Sequence, residues 1–275
     1  MKISRIAIIW NCAKPGAEAC LDAVVAVAEK HGIATQISKN HPIDRDVLAG
    51  TQLCCVIGGD GTILGVVESA VLNRVPIFGI NLGKLGYLAN YSAKDIERDL
   101  EDALAGRCRR VSRSLLECSL ADDPAGTRRL ALNDVVIKAS ENFQMTALRV
   151  DSVEHGTINT FRADGLIFST ATGSTAYSLG AGGPLIHTDA DVFALTPLCP
   201  HTLSNRAVVL PRGMTIRVDD VSAGVPTGIS IDGNAPLSGK GAFPLTIRMS
   251  DARVEILQPP TLSEFEILRT KLRWV

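Results

Sequence analysis

This sequence has no surplus of charge, no paired-cysteine spacing and no long apolar run. Its formal net charge is −1, so no overall field draws it to nucleic acid or to an acidic membrane surface. The one basic cluster, Arg107, Arg109, Arg110 and Arg113, reads as a solvated helix end and strand start. Seven cysteines are scattered without a CxxC pair, which excludes a disulfide framework and fits a reducing compartment. Cys54 and Cys55 fall inside an apolar run and read as small buried hydrophobes. No apolar stretch approaches the ~20 residues of a membrane-spanning helix. No h-region or cleavage site follows the opening stretch through Trp10, so the expectation is a soluble, cytoplasmic protein. His, Cys and Asp are nowhere spaced as zinc ligands. Gly173-Ser174-Thr175 lacks the nucleophile-elbow pattern, which argues against acyl transfer. Repeats and flexible linkers are absent too.

What is present is a globular composition, 46% hydrophobic and 21% charged over 275 residues, enough for one large domain or two modest ones. The first third alternates strand and helix. Strands are predicted at Ile3–Trp10, Ile33–Ser38, Leu53–Ile57 and Pro76–Ile80, and helices at Gly16–Lys30 and Ile63–Leu72. Such alternation implies a parallel sheet that binds ligands beyond its strand carboxyl ends. A further helix is signalled by Ser92 as N-cap, Asp95 three residues on, and Gly106 after the last turn. Beyond Arg107 the segments become short and β-branched: Val111–Leu120, Leu130–Lys138, Thr146–Val153, Thr157–Arg162, Leu166–Thr170, Thr215–Val221, Ile229–Ile231, Leu245–Met249 and Val254–Leu257. Glu154-His155-Gly156 and Asp232-Gly233-Asn234 look like hairpin turns. The expected fold is therefore α/β plus all-β: a Rossmann-like domain over 1–106 and a mostly antiparallel β domain over 107–257. The amphipathic stretch Glu264–Trp274 is helix-competent, and 258–275 is expected to return to the first domain.

Chemistry concentrates in two places. Gly58-Gly59-Asp60-Gly61-Thr62 follows the buried run Leu53–Ile57, and Asn81–Gly86 falls at the same sheet edge. Gly58, Gly59 and Gly61 allow a sharp turn that brings amides against a phosphate, and Thr62 suits the N-cap of the following helix. A carboxylate among anion-binding amides is what phosphoryl transfer to a hydroxyl requires. The plainer alternative is a strand-to-helix turn in which Asp60 only caps the helix. The second place is Arg162–Pro184, dense in glycine and hydroxyl side chains around Asp164 and Tyr177. Small polar groups at that density suit a cleft that meets a sugar and phosphates, or else form a surface loop.

Three blocks in order, Gly58–Thr62, Leu132-Asn133-Asp134-Val135-Val136, and Asp164-Gly165 through Thr172-Gly173-Ser174-Thr175-Ala176-Tyr177, resemble the NAD kinase family of the bacterial type. Gly79-Ile80-Asn81, Leu85-Gly86, Gly182-Gly183-Pro184 and Pro200–Arg206 support the likeness. It implies an α/β domain followed by an all-β domain with the site between them. It further implies ATP and NAD as substrates, Mg²⁺ with the nucleotide phosphates, and a homodimer or homotetramer. By this resemblance Asp60 accepts the proton of the adenosine ribose 2′-hydroxyl and Gly61 lies against the dinucleotide. Asn133 and Asp134 contact NAD, Arg162 and Asp164 lie near it, and Thr175, Ala176, Tyr177 and Ser178 surround it. Asn234 stands where many relatives have Gln, and Cys199 lines the site by its position. Arg162, Asp164 or His201 is expected to reach a neighbouring subunit's pocket. The sequence departs from the family at Glu68 (commonly Arg), Ala171 (commonly Pro) and Gln144 (His in some), and no role is carried onto Glu68 or Ala171. Two other readings compete: a lipid or sphingoid kinase sharing the glycine loop, and a non-catalytic NAD-binding sensor. His31 is expected at a helix C-terminus, His41 and His155 in loops, and Trp10 and Trp274 packed in the first domain.

Overall fold

The computed structural model describes residues 3–39, 43, 46–83, 86–140, 144–202 and 204–274. His41, Lys84, Leu85 and Leu203, named above, lie outside the described residues. The chain divides into two units, Met1–Ser112 with Val254–Val275, and Arg113–Arg253. The divisions fall inside two strands rather than at 106/107 and 257/258, because Gly106 marks only the end of a helix (φ 74) and the strand after it contributes to both units.

In the first unit the order is β1 (Arg5–Trp10), α1 (Ala17–Lys30), β2 (Ala34–Lys39), β3 (Leu53–Gly58), α2 (Asp60–Leu64), α3 (Val67–Asn73), β4 (Ile77–Asn81) and β5 (Tyr91–Ser92). A 3₁₀ turn, Ala93–Asp95, then leads into α4 (Ile96–Leu104). The strands pair in the order β2-β1-β3-β4, all parallel. Every residue of β3 is buried, as expected where both sheet faces are covered. Ile6, Ile8, Ile57, Phe78 and Ile80 form the core with Val24 and Val27 of α1 and Leu100 of α4. Cys54 and Cys55 are fully buried within β3, and burial pushes the Cys55 thiol up to about 12. Ser92 caps the 3₁₀ turn, its hydroxyl accepting from Lys94 N at 3.3 Å.

The helix expected at Ile63–Leu72 is two helices. At Val66 the backbone bonds to Ile63 O, three residues back, which interrupts the four-residue ladder beside Gly65. Trp10 joins the first unit's core, but Trp274 is half exposed. Arg113, grouped above with solvated arginines, is buried.

The second unit begins within β6 (Arg109–Ser119) and continues through β7 (Arg129–Ala131), β8 (Asp134–Ala139), β9 (Thr146–Ser152), β10 (Gly156–Ala163) and β11 (Gly165–Thr170). After a 3₁₀ turn at Gly173–Thr175 come α5 (Tyr177–Gly180), β12 (Val192–Leu198), β13 (Val208–Pro211), β14 (Ile216–Asp220), β15 (Thr227–Ile231), β16 (Leu237–Ser238) and β17 (Leu245–Gln258). The last helix, α6 (Glu264–Leu272), falls in the first unit. One antiparallel set runs β10-β9-β14-β17, with β6 pairing β17 and β7; the other runs β13-β12-β11-β8-β15-β16. Leu148, Val150, Ile216 and Ile247 of the first set share a core with Phe168, Phe193, Leu195 and Ile229 of the second.

The single strand expected at Leu130–Lys138 is broken at Leu132-Asn133, where the chain passes from one sheet to the other. The two strands expected at Leu245–Met249 and Val254–Leu257 are one. β12 and β13 were not among the predicted strands.

Candidate active site

The glycine loop closes β3 and opens α2. Gly59, not Thr62, is the N-cap; Thr62 lies a turn inside and is buried. None of Gly58, Gly59 and Gly61 adopts left-handed backbone, so the need for glycine here is spatial. A Cβ on Gly58 would collide with the Thr62 hydroxyl. Gly59 has extended backbone (φ 164), and a Cβ there would meet only the Lys14 ammonium, at 2.8 Å. A Cβ on Gly61 would meet nothing within 4 Å. Gly61 is thus the open face of the loop.

Asp60 does not cap its own helix. Its Oδ1 accepts from Leu88 N and Ala89 N, both at 3.0 Å, and its Oδ2 accepts from Tyr87 N at 2.9 Å. A carboxylate offers about four lone-pair positions, so Oδ2 keeps one for a further donor. Gly86 is glycine because a side chain there would strike the Asp60 carboxylate. Buried polar groups hold this turn: Asn90 Nδ2 donates to Gly86 O at 3.1 Å, and Gln258 Nε2 donates to Asn90 Oδ1 at 2.8 Å. Asn90 and Gln258 stand outside every motif singled out in the sequence; no local spacing links positions 168 residues apart. Lys271 of α6 lies 5.6 Å from the centre of the Tyr87 ring, a cation–π distance.

In the second unit the Asn133–Asp134 corner is built around a residue assigned above only to a turn. Asp232 accepts from Leu132 N and Asn133 N, both at 2.7 Å, and from Asp134 N at 3.1 Å. Its own N–H donates to Asp134 O at 2.9 Å. These bonds replace sheet ladder bonds, which is why the expected strand breaks here. The carbonyls of the corner are taken as well: Thr170 Oγ1 donates to Leu132 O at 2.6 Å and Thr170 N to Asn133 O at 2.9 Å. Gly173 packs so closely on the Asn133 backbone that a Cβ would overlap it.

Asp134 and Asp232 are both buried. Desolvation, reinforced by the Asp232 charge, pushes the Asp134 carboxyl up to about 7. Desolvation also raises Asp232, but the three N–H groups oppose it. Asp232 is therefore the member held ionised, and Asp134 the member that takes the proton.

The hydroxyl-rich block is less open than its composition predicts. Ser174 donates to Ala171 O and accepts from Ile186 N, and Ser178 shares a 3.0 Å bond with Thr196. Both serines are fully buried, so their hydroxyls hold the segment together rather than facing a cleft. Thr175 is half-buried, while Ala176 and Tyr177 are exposed. Arg162 and Asp164 sit where β10 passes into β11, beside Cys199 and His201: Asp164 N bonds Leu198 O, and His201 N bonds Arg162 O. Arg162, Cys199 and Asn234 are exposed and Asp164 is half-buried. Gln144 and Glu68 are exposed, whereas Ala171 is buried.

Residues 18–108 match the family description of the ATP-NAD kinase N-terminal domain, and residues 132–258 that of the C-terminal domain. The chain is 36% identical over 250 residues to an NAD kinase of Geotalea daltonii, covering 90% of this chain and 87% of that protein. It is 40% identical over 220 residues to an NAD kinase of Variovorax paradoxus, covering 80% and 72%. Its fold resembles a crystal structure of yeast NADH kinase complexed with NADH, at TM-score 0.85 and 21% identity over 99% of this chain and 88% of that one. It also resembles an NAD kinase from Archaeoglobus fulgidus in complex with ATP, at TM-score 0.79 and 22% identity over 98% of each chain. With both domain descriptions matched in order, this chain belongs to the ATP-NAD kinase family.

Proposed function

We propose that this protein transfers the terminal phosphoryl group of ATP to the 2′-hydroxyl of the adenosine ribose of NAD, giving NADP. The observation that carries the reading is the Asp60 carboxylate, fixed by three backbone N–H groups yet keeping one acceptor position on Oδ2, beside the open face of Gly61. The ribose hydroxyl donates to Oδ2, and its proton passes to Asp60 as the oxygen attacks the γ-phosphorus and the bond to the ADP oxygen breaks. Phosphoryl transfer is loose, so positioning contributes most of the acceleration and the base acts late. Asn133 and Asp134 hold the dinucleotide, with Arg162, Asp164, Thr175, Ala176, Tyr177, Ser178, Cys199 and Asn234 around it. Ser178 is fully buried, its hydroxyl bonded to Thr196, so it supports this segment from within.

Among the described residues no group of three or more His, Cys, Asp and Glu is placed to hold a metal. Mg²⁺ carried on the nucleotide phosphates would neutralise their charge while keeping its waters, as this ion usually does. No helix among the described residues is long and apolar enough to cross a membrane.

We place the active enzyme as a homodimer or homotetramer whose Arg162, Asp164 or His201 reaches a neighbour's pocket; C₂ contacts are the commonest way such chains pair. Mixed subunits of Asp60→Asn and Asp164→Ala should then recover partial activity, and a fully active monomer in sedimentation would remove the shared site. The reaction itself is tested by incubating protein with NAD, ATP and Mg²⁺ and measuring NADP, with polyphosphate as donor in parallel. NADP formation is the expected result. NAD binding without NADP would leave a sensor, and phosphorylation of a lipid hydroxyl in its place would overturn the assignment.

A further inference from the structure

The loop between β1 and α1 brings a cation to the glycine loop. Asn11 N bonds Ile57 O at 2.9 Å, tying this loop to the end of β3. Asn11 then folds the chain back, its Oδ1 accepting from Ala13 N at 3.1 Å and its carbonyl accepting from Lys14 N at 3.1 Å. The Lys14 ammonium donates to Gly58 O at 2.6 Å and fills the space where a Cβ on Gly59 would stand. Lys14 lies before the stretch that matches the family's N-terminal domain description.

We propose that Lys14 is a phosphate-binding residue of the glycine loop, meeting the terminal phosphates of the donor. The proposal rests on the kinase reading above. An ammonium has three N–H donors, and one is engaged by Gly58 O. Among the described residues no carboxylate pairs with it. Gly58–Thr62 itself contains no cation, although phosphate recognition by backbone amides is commonly completed by a lysine acting as a point charge. Gly59 shows how close the ammonium lies to the loop. Its extended backbone suits any residue, so the sole obstacle to a side chain there is the Lys14 ammonium. A Cβ at Gly59 would therefore shift the ammonium, the far end of a flexible side chain, rather than the loop backbone.

The competing role is a purely structural one, in which Lys14 only satisfies the Gly58 carbonyl. Steady-state kinetics separate the two. Lys14→Met should raise the KM for ATP roughly ten- to a hundredfold, the loss of a charged hydrogen bond, while the KM for NAD moves by less than about threefold. Lys14→Arg should restore part of the ATP affinity. Gly59→Ala, which displaces the ammonium without removing it, should raise the KM for ATP in the parent but add little in the Lys14→Met background. The proposal is overturned if Lys14→Met leaves the KM for ATP within about twofold, if both KM values rise together, or if the two substitutions are additive. Should Lys14→Met fail to fold, Gly59→Ala and Lys14→Arg carry the same test. Calorimetric titration with tripolyphosphate needs no turnover: weaker binding to Lys14→Met supports the proposal even if no NADP is formed, and equal binding refutes it even if NADP is formed.

Discussion

Two carboxylates in this chain each collect three backbone N–H groups, Asp60 from Tyr87, Leu88 and Ala89, and Asp232 from Leu132, Asn133 and Asp134. Asp60 is half-buried, with an acceptor position left on Oδ2, beside a glycine whose outer side is open. Asp232 is buried under the corner that it holds, and the carboxylate next to it, Asp134, has no hydrogen-bond donor among the described residues. The same bonding therefore serves different ends. Exposure decides whether a carboxylate fixed by amides is open to a further donor or closed within the turn that it shapes.

The largest expected effect breaks the first of these. Asp60→Asn should lower kcat by ~10²–10⁴, the usual contribution of a general base, with NAD dissociation measured by fluorescence staying within about tenfold. Asp232→Ala should act on the fold instead. It strands buried N–H groups at a cost of about 2–3 kcal/mol, and thermal unfolding should show Tm falling by roughly 5–10 °C. Asn133→Ala and Asp134→Ala each remove a polar contact worth about 1–3 kcal/mol, raising the KM for NAD by ~5- to 150-fold. A selective loss of ATP affinity in either would place the corner at the other substrate.

The smallest effect sharpens the comparison through pH. Burial raises the Asp134 carboxyl to about 7, so the folded state binds a proton that the unfolded chain releases. That contribution to stability is present below the ordinary carboxylate range and is lost as pH rises through 7. Asp134→Asn should therefore raise Tm over the parent by on the order of a few degrees at pH 8, and the gain should vanish near pH 4. A gain independent of pH would mean that Asp134 is not the group that takes the proton.

Much of the fold was legible because local patterns are local in cause. The buried run at Leu53–Ile57, the Ser92 cap and the Glu154–Gly156 turn each follow from neighbours in sequence. β12 was not legible: Thr196 and Pro197 interrupt its apolar run, and proline in a central strand argues against the assignment. β13 is a short edge strand with Val208 and Val209 exposed, so it lacks the alternation that marks a half-buried strand. Asp60 and Asn133–Asp134 stand out through motifs, while the groups that hold them do not. Lys14 lies 44 positions from Gly58, and Asp232 lies 98 to 100 positions from the amides it accepts. Such contacts exist only once the sheets have formed. Ser174 and Ser178 erred in the opposite direction, since composition cannot tell a hydroxyl that faces a ligand from one that closes an internal turn.

A single-turnover measurement of NADP formation at saturating NAD and ATP addresses the division of labour between the two regions most directly. Chemistry at the glycine loop and acceptor binding at the Asn133 corner predict that Asp60→Asn stays slow at saturation, while Asn133→Ala reaches the parent rate once NAD is raised. Asp60→Asn turning over at more than half the parent rate, or Asn133→Ala remaining slow with NAD saturating, would contradict it.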